Sequence, residues 1–163
     1  MTIIADATAL ILLAKITLLE TFIDRNKVII PETVLKEVLK GKEKNRIDSM
    51  LLEKLSNERK LNIQTPSEQT KINIKKLINL KKGELDVISL AYKTNNIILS
   101  DDKKCINAAK VFGISFITTP DVVIIMYNKK VITKNKAILS IDKLEEYGWY
   151  SKDIIKNHRR KIK

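Results

Sequence analysis

Two apolar runs in this sequence end directly in acids. Ile3-Ile4-Ala5 leads into Asp6, and Ile97-Ile98-Leu99-Ser100 leads into Asp101-Asp102. A carboxylate at the end of an apolar strand is costly unless it is paired, hydrogen-bonded or metal-bound. Two more acids stand at helical positions. Glu37 falls one turn beyond Thr33, beside Val34 and Val38, and Asp86 falls in the first turn of a segment from Leu85 to Tyr92, next to Glu84. An acid in a first turn can simply complement the helix dipole, a reading that suits Glu84 better than Asp86. No Ser–His or Cys–His pair accompanies these acids. The chemistry they suit is the binding of hard, oxygen-liganded cations, Mg²⁺ or Mn²⁺. In a basic chain such a site fits phosphodiester cleavage, where cationic side chains hold the backbone while metals activate water and stabilise the leaving oxygen.

For these acids to converge, strands and helices must alternate. Met1 to Ala5 reads as a short buried strand, and Leu10, Leu13, Ala14 and Ile16 then follow helical spacing. Lys27 to Ile30 is a second strand, stopped by Pro31, and Glu32 to Leu39 a helix ended near Gly41. The charged stretch from Lys42 to Lys60 carries Ile47, Met50, Leu51 and Leu55 as a narrow stripe, either a surface helix or an arm for self-association. Leu61 to Gln64 predicts a short strand. Ile72 to Lys82 predicts a helix ended by Gly83, and Leu85, Ile88, Ala91 and Tyr92 give the next helix a clean apolar face.

After the Ile97–Leu99 strand, a helix with Cys105, Ala108, Ala109 and Phe112 is capped at Gly113. Ile114 to Thr118 is the last strand, and Thr119 and Pro120 open a helix through Tyr127 as N-cap and first residue. The tail from Ile141 predicts one more helix anchored by Leu144, Tyr147 and Trp149. It ends in His158, Arg159, Arg160, Lys161 and Lys163, a frayed terminus or a phosphate-binding run. This alternation predicts an α/β fold with a mainly parallel sheet. In such a sheet functional groups gather at the carboxyl ends of the strands, so Asp6 and Asp101-Asp102 share one edge.

Composition narrows the classes. The 163 residues fit one domain with a short appendage; we divide them as a domain over 1–128 and a helical, basic extension over 129–163. At 44% hydrophobic the chain is too apolar for disorder, and at 5% aromatic it is too poor in rings for stacking on bases to dominate binding. Lys plus Arg number 31 against 19 acids, a net charge of +12. That excess favours polyanions, because neutralising phosphates releases counterions, although a lysine-rich surface also serves solubility. The single Cys105 excludes an internal disulfide or a Cys-based zinc site, and a reducing, cytoplasmic setting is the default. Asp6 interrupts the apolar start with no basic segment before it, so no signal peptide is read there. No apolar run reaches the length of a membrane span.

At the acids the sequence resembles the PIN-domain family. Asp6-Ala7-Thr8 followed by Leu10 to Lys15 is similar to that family's opening motif. Ile30-Pro31-Glu32-Thr33-Val34-Leu35-Lys36-Glu37-Val38 resembles its second motif, with the acid at Glu37. Gly83-Glu84-Leu85-Asp86-Val87-Ile88 resembles the third, with the metal acid placed best on Asp86, and Leu99-Ser100-Asp101-Asp102 resembles the fourth, with the acid at Asp102. Glu84 and Asp101 remain alternatives within their pairs. The resemblance runs from Ile3 to about Tyr127, and Leu144 to Ile155 is similar to some archaeal-type members. It departs at Thr118-Thr119-Pro120-Asp121, where relatives often carry Gly-Thr-x-Gly. Asp121 is there either an additional ligand or a helix N-terminal acid.

The resemblance implies a three-layer α/β/α fold and Mg²⁺- or Mn²⁺-dependent endoribonuclease activity leaving 5′-phosphates. Many members are toxins of the VapC type, held by an antitoxin and forming homodimers. Asp6, Glu37, Asp86 and Asp102 are then metal ligands, and Thr8 bonds a ligand carboxylate or the scissile phosphate. Lys15, Lys103 and Lys104 stand near enough in sequence to touch RNA phosphates, or serve only as solvated surface. Two rivals stand beside this reading. One is a non-catalytic RNA-binding or assembly module on the same fold. The other is a phospho-acceptor receiver domain, suggested by Asp101-Asp102, but receivers place their acidic pair after the first strand, where only Asp6 stands. A DNA-binding antitoxin lacks its helix-turn-helix pattern here.

Overall fold

The computed structural model describes residues 2–40, 47–148 and 150–163. The expected helix end near Gly41, the start of the charged stretch at Lys42 and the anchor at Trp149 lie outside them. The chain forms two compact units, Met1–Ile117 and Thr118–Lys163.

The first unit carries strands β1 (Thr2–Ala5), β2 (Lys27–Pro31), β3 (Asn62–Gln64), β4 (Ile97–Leu99) and β5 (Phe116–Ile117). Between them run helices α1 (Ala7–Lys15), α2 (Leu19–Arg25), α3 (Glu32–Leu39), α4 (Ile47–Asn57), α5 (Glu68–Lys75), α6 (Lys82–Ala91) and α7 (Lys103–Val111). All strand pairings are parallel, in the order β3-β2-β1-β4-β5. The chain therefore winds outward from β1 to β3, then returns and winds the other way through β4 and β5. Because parallel crossovers are right-handed, the two sets of helices cover opposite faces, giving a three-layer α/β/α fold. β1 and β4 are buried, with Ile3, Ile4 and Ala5 in register with Ile97, Ile98 and Leu99. Fully covered strands need apolar residues on both faces, which is why these runs do not alternate. β3 is short and exposed at the sheet edge, the usual safeguard against unwanted pairing.

Several elements differ from the sequence expectation. The stretch expected as a helix over Ile72 to Lys82 is α5, which starts earlier, behind Ser67 as N-cap, and ends at Lys75. Gly83 does not terminate it but sits in the first turn of α6. The stripe on α4 turns Ser49, Leu52 and Leu55 inward, with the Ser49 hydroxyl donating to Val38 O at 2.8 Å, while Met50 faces outward. α4 thus packs on α1 and α3.

The second unit is three packed helices, α8 (Thr119–Asn128), α9 (Lys134–Tyr147) and α10 (Lys152–Arg160). The expected N-cap of α8 was Thr119; it is Thr118, whose hydroxyl and N–H both bond Asp121 Oδ2, at 2.7 and 3.0 Å. The tail expected to hold one helix holds two, α9 and α10. Arg159 joins them, donating to Asp142 and Glu145 at 2.6–2.9 Å. No helix among the described residues is long and apolar enough to cross a membrane.

Candidate active site

β1 and β4 lie side by side, and α1 and α7 begin where they end. Strand order reverses at this pair, the place where a doubly wound sheet leaves a crevice at its carboxyl edge. Asp6 closes the junction by donating its backbone N–H to Leu99 O at 3.0 Å. Its side chain is nearly covered, at 5% exposure. Oδ1 accepts from the Thr8 hydroxyl (2.8 Å) and the Ala9 N–H (2.9 Å), and Oδ2 accepts from the Ser100 hydroxyl. Burial pushes the Asp6 carboxyl up to about 6, although the bonds from Ala9, Ser100 and Thr8 favour its charge. Hydrogen bonds have replaced part of the lost hydration, and among the described residues no ion pair with Asp6 replaces the rest.

Asp102 is the N-cap of α7. Its Oδ1 accepts from the N–H groups of Lys104 (2.8 Å) and Cys105 (2.9 Å). Its own N–H donates to Ser100 Oγ at 3.1 Å, so Ser100 ties the two strand-end acids together. Glu84 works the same way on α6, where Oε2 accepts the Lys81 N–H at 2.9 Å. Each of these acids spends one oxygen on a helix terminus, which fixes the side chain and leaves the other oxygen without a bond from the described residues. Glu37 comes from α3, and its Oε2 lies against Gly83, where an added Cβ would stand 2.9 Å from it.

Asp6, Thr8, Glu37, Glu84 and Asp102 line one cleft of about 140 Å³, together with Ala7, Val34, Lys81 and Gly83. Asp86 and Asp101 do not line it. Asp86 is buried, at 1% exposure, where it accepts from the Thr33 hydroxyl at 2.8 Å and lies 3.9 Å from Lys71 Nζ. Lys71 also pairs with Glu68, so Asp86 ties α6 to α5. The Asp101 N–H donates a long bond, 3.4 Å, to Thr8 Oγ1. In the second unit, Asp121 caps α8 and faces His158 Nε2 at 3.0 Å. Burial opposes its charge, but the bonds from His158 and Thr118 outweigh this and hold its carboxyl below the ordinary value.

The sequence reading assigned no role in the site to Ser100 or Lys81, and took Gly83 as a helix end and the start of the third motif. The serine had a signal, a hydroxyl between an apolar strand and an acid pair; Lys81 did not. Cys105 is buried, and desolvation aided by nearby Asp6 pushes its thiol up to about 12, so it is not a nucleophile.

Among the described residues no three His, Cys, Asp or Glu side chains converge closely enough to enclose an ion. Mg²⁺ does not ask for that. It keeps several waters and binds through one or two carboxylates plus substrate phosphates. An all-oxygen donor set around a small cleft, with a buried carboxyl that makes no ion pair among the described residues, fits a hydrated hard cation.

The fold and cleft define a doubly wound parallel α/β protein with an acidic site at its switch point. A family model described as PIN domain matches residues 2–163, and the chain belongs to the PIN-domain family. Among solved structures it is similar to one described as VapBC2 from Rickettsia felis bound to a DNA fragment from their promoter. Identity there is 20% over 72% of this chain and 98% of that one, with a TM-score of 0.48. No curated protein matches.

Proposed function

We propose that this chain is a divalent-metal-dependent endoribonuclease that cuts RNA phosphodiester bonds at the acid-lined cleft. The observation that carries the reading is the gathering of Asp6, Glu37, Glu84 and Asp102, from four separate segments, around one cleft in a chain of net charge +12. PIN domains are generally nucleases, which supports it. Asp6, Asp102, Glu37 and Glu84 would hold the metal, directly or through water. When bound, Mg²⁺ or Mn²⁺ would activate water and neutralise charge on the phosphate.

The chain's own groups do the rest. Thr8 and Ser100 orient the Asp6 carboxylate; the α6 and α7 termini fix Glu84 and Asp102; Lys81 brings a positive charge beside the phosphate. The reaction inserts water at phosphorus, breaks the P–O3′ bond and leaves a 3′-hydroxyl and a 5′-phosphate. The setting we propose is that of a VapC-type toxin held by an antitoxin and paired with a second copy of itself.

The test is cleavage of a structured RNA pool by the full chain with Mn²⁺, Mg²⁺ or EDTA. Cutting with either metal and none in EDTA is expected. A folded protein that binds RNA equally with and without metal and never cuts would favour the non-catalytic binding module.

Gly83→Ala probes the packing of Glu37. The carboxylate is the far end of a flexible chain and can swing aside, and alanine is the better helix former by about 0.8–1 kcal/mol. Thermal stability is therefore expected to hold. Cleavage is expected to fall by roughly ten- to a hundredfold, since displacements of this size in a reacting site cost up to about that much. Unchanged cleavage would remove Glu37 from the site.

A further inference from the structure

A second cleft, of about 360 Å³, adjoins the acidic one. It is lined by Lys36 of α3 and Lys40 just after it, Lys81 and Lys82 at the start of α6, and Thr33, Glu37 and Gly83. Glu37, Lys81 and Gly83 line both clefts, so the two share a wall. Four lysines from two elements around one depression is an arrangement of like charges that no internal contact requires. Of the four, Lys36 is paired with Glu32 at 2.5 Å; Lys40, Lys81 and Lys82 carry no ion pair among the described residues. All four lysines are exposed. The positive end of the α6 dipole faces the same region.

We propose that this lysine-lined cleft holds an internal phosphate of the RNA strand, next to the phosphate being cut. The inference rests on the nuclease reading and names how that site takes its substrate. A cleft of carboxylates repels a polyanion, and the metal can offset this only at the reacting phosphate. The lysines supply attraction one step along the strand and so set which bond lies over the acids. Glu37 marks the boundary, carboxylate on one side and ammonium groups on the other. Lys81 is left out of the test because it also lines the acidic cleft.

The experiment measures binding of a short, labelled single-stranded RNA to Asp6→Asn in EDTA, with and without Lys40→Gln and Lys82→Gln, between about 50 and 200 mM salt. The double change is expected to weaken binding about tenfold and to flatten the slope of log K against log salt by about 0.7, the value for one single-strand phosphate contact. Lys40→Arg with Lys82→Arg is expected to restore both. In the cleaving protein the Gln pair is expected to raise KM while leaving kcat within about twofold, as loss of uniform binding does.

RNAs with a 5′-hydroxyl and a 5′-phosphate are compared throughout. Equal loss for both is expected. Loss confined to the 5′-phosphorylated RNA would overturn the internal assignment in favour of a terminal phosphate. An unchanged affinity and salt slope would overturn the proposal altogether. Failure of the original protein to cut RNA with any metal would instead sink the nuclease reading, and the binding measurement does not depend on it.

Discussion

Asp6→Asn is expected to abolish cleavage and, in EDTA at pH 7, to make the protein more stable. The sign follows from the burial of this group. Its carboxyl rises from 3.8 to about 6 on folding, so the folded chain binds the proton more tightly than the unfolded one. Stability from this group is then greatest below pH 3.8, falls as pH rises to about 6, and stays low above that. At about 1.4 kcal/mol for each tenfold in proton affinity, ionised Asp6 costs the metal-free fold up to about 3 kcal/mol.

Asparagine removes the charge and keeps the bonding. Its oxygen can accept from Thr8 and Ala9, and its amide can donate to Ser100 Oγ. With about 2–4 °C per kcal/mol for a chain of this size, a melting point several degrees above the original is expected at pH 7, shrinking to nothing near pH 4. Added Mn²⁺ is expected to stabilise the original and not the variant. Melting curves with EDTA and with Mn²⁺ at the two pH values check this; a variant less stable at pH 7 in EDTA would show that Asp6 is not a strained acid. The site then trades stability for function.

The second large effect separates Glu84 from Asp86. Glu84→Gln keeps an oxygen to accept the Lys81 N–H, so the start of α6 survives, but it removes a charge from the cleft. Cleavage is expected to fall at least about a hundredfold, with little change in melting point. Asp86→Ala does the reverse. It strips Thr33 of its partner and leaves Lys71 with Glu68 alone, for a loss of about 1–3 kcal/mol of stability, while cleavage by the folded fraction stays within about tenfold. Urea unfolding and initial cleavage rates on both variants are the measurements. If the effects came out exchanged, Asp86 would be the working acid and the first turn of α6 would have to rotate during the reaction.

That pair also shows where sequence reading stops. Both acids follow Gly83 closely, and 3.6-residue periodicity places Asp86 beside the apolar face and Glu84 nearer solvent. The resemblance of the Gly83 to Ile88 stretch to the third motif placed the metal acid on Asp86. In the fold Asp86 is buried against Thr33 and Lys71, 53 and 15 positions upstream. No local pattern announces such partners. Asp6 and Asp102 drew notice because they follow apolar strands, Asp6 directly and Asp102 after Ser100 and Asp101, and the fold brings both to the cleft.

The misplaced helices have local causes. The link between α1 and α2 turns at Thr17, which takes a left-handed φ of 59° without any glycine to signal it, and the apolar run continues straight into α2, which went unread. α9 has a regular stripe at Ala137, Ile141 and Leu144, but its first turns are diluted by lysines, and the expected helix began only at Ile141.

The position of β1 in the sheet bears on how the chain is made. A ribosome delivers this strand before either neighbour, yet it needs β2 on one side and β4 on the other. The partner that orients Asp6 is Ser100, 94 residues later. A growing chain can therefore zip β1 to β2 early but has no second wall for the cleft until Ile97 to Asp102 have left the exit tunnel. Contacts of such long range form late and slowly. A chain whose synthesis breaks off before that point carries Asp6 and Glu37 but neither Ser100 nor Asp102, so it cannot assemble the cleft.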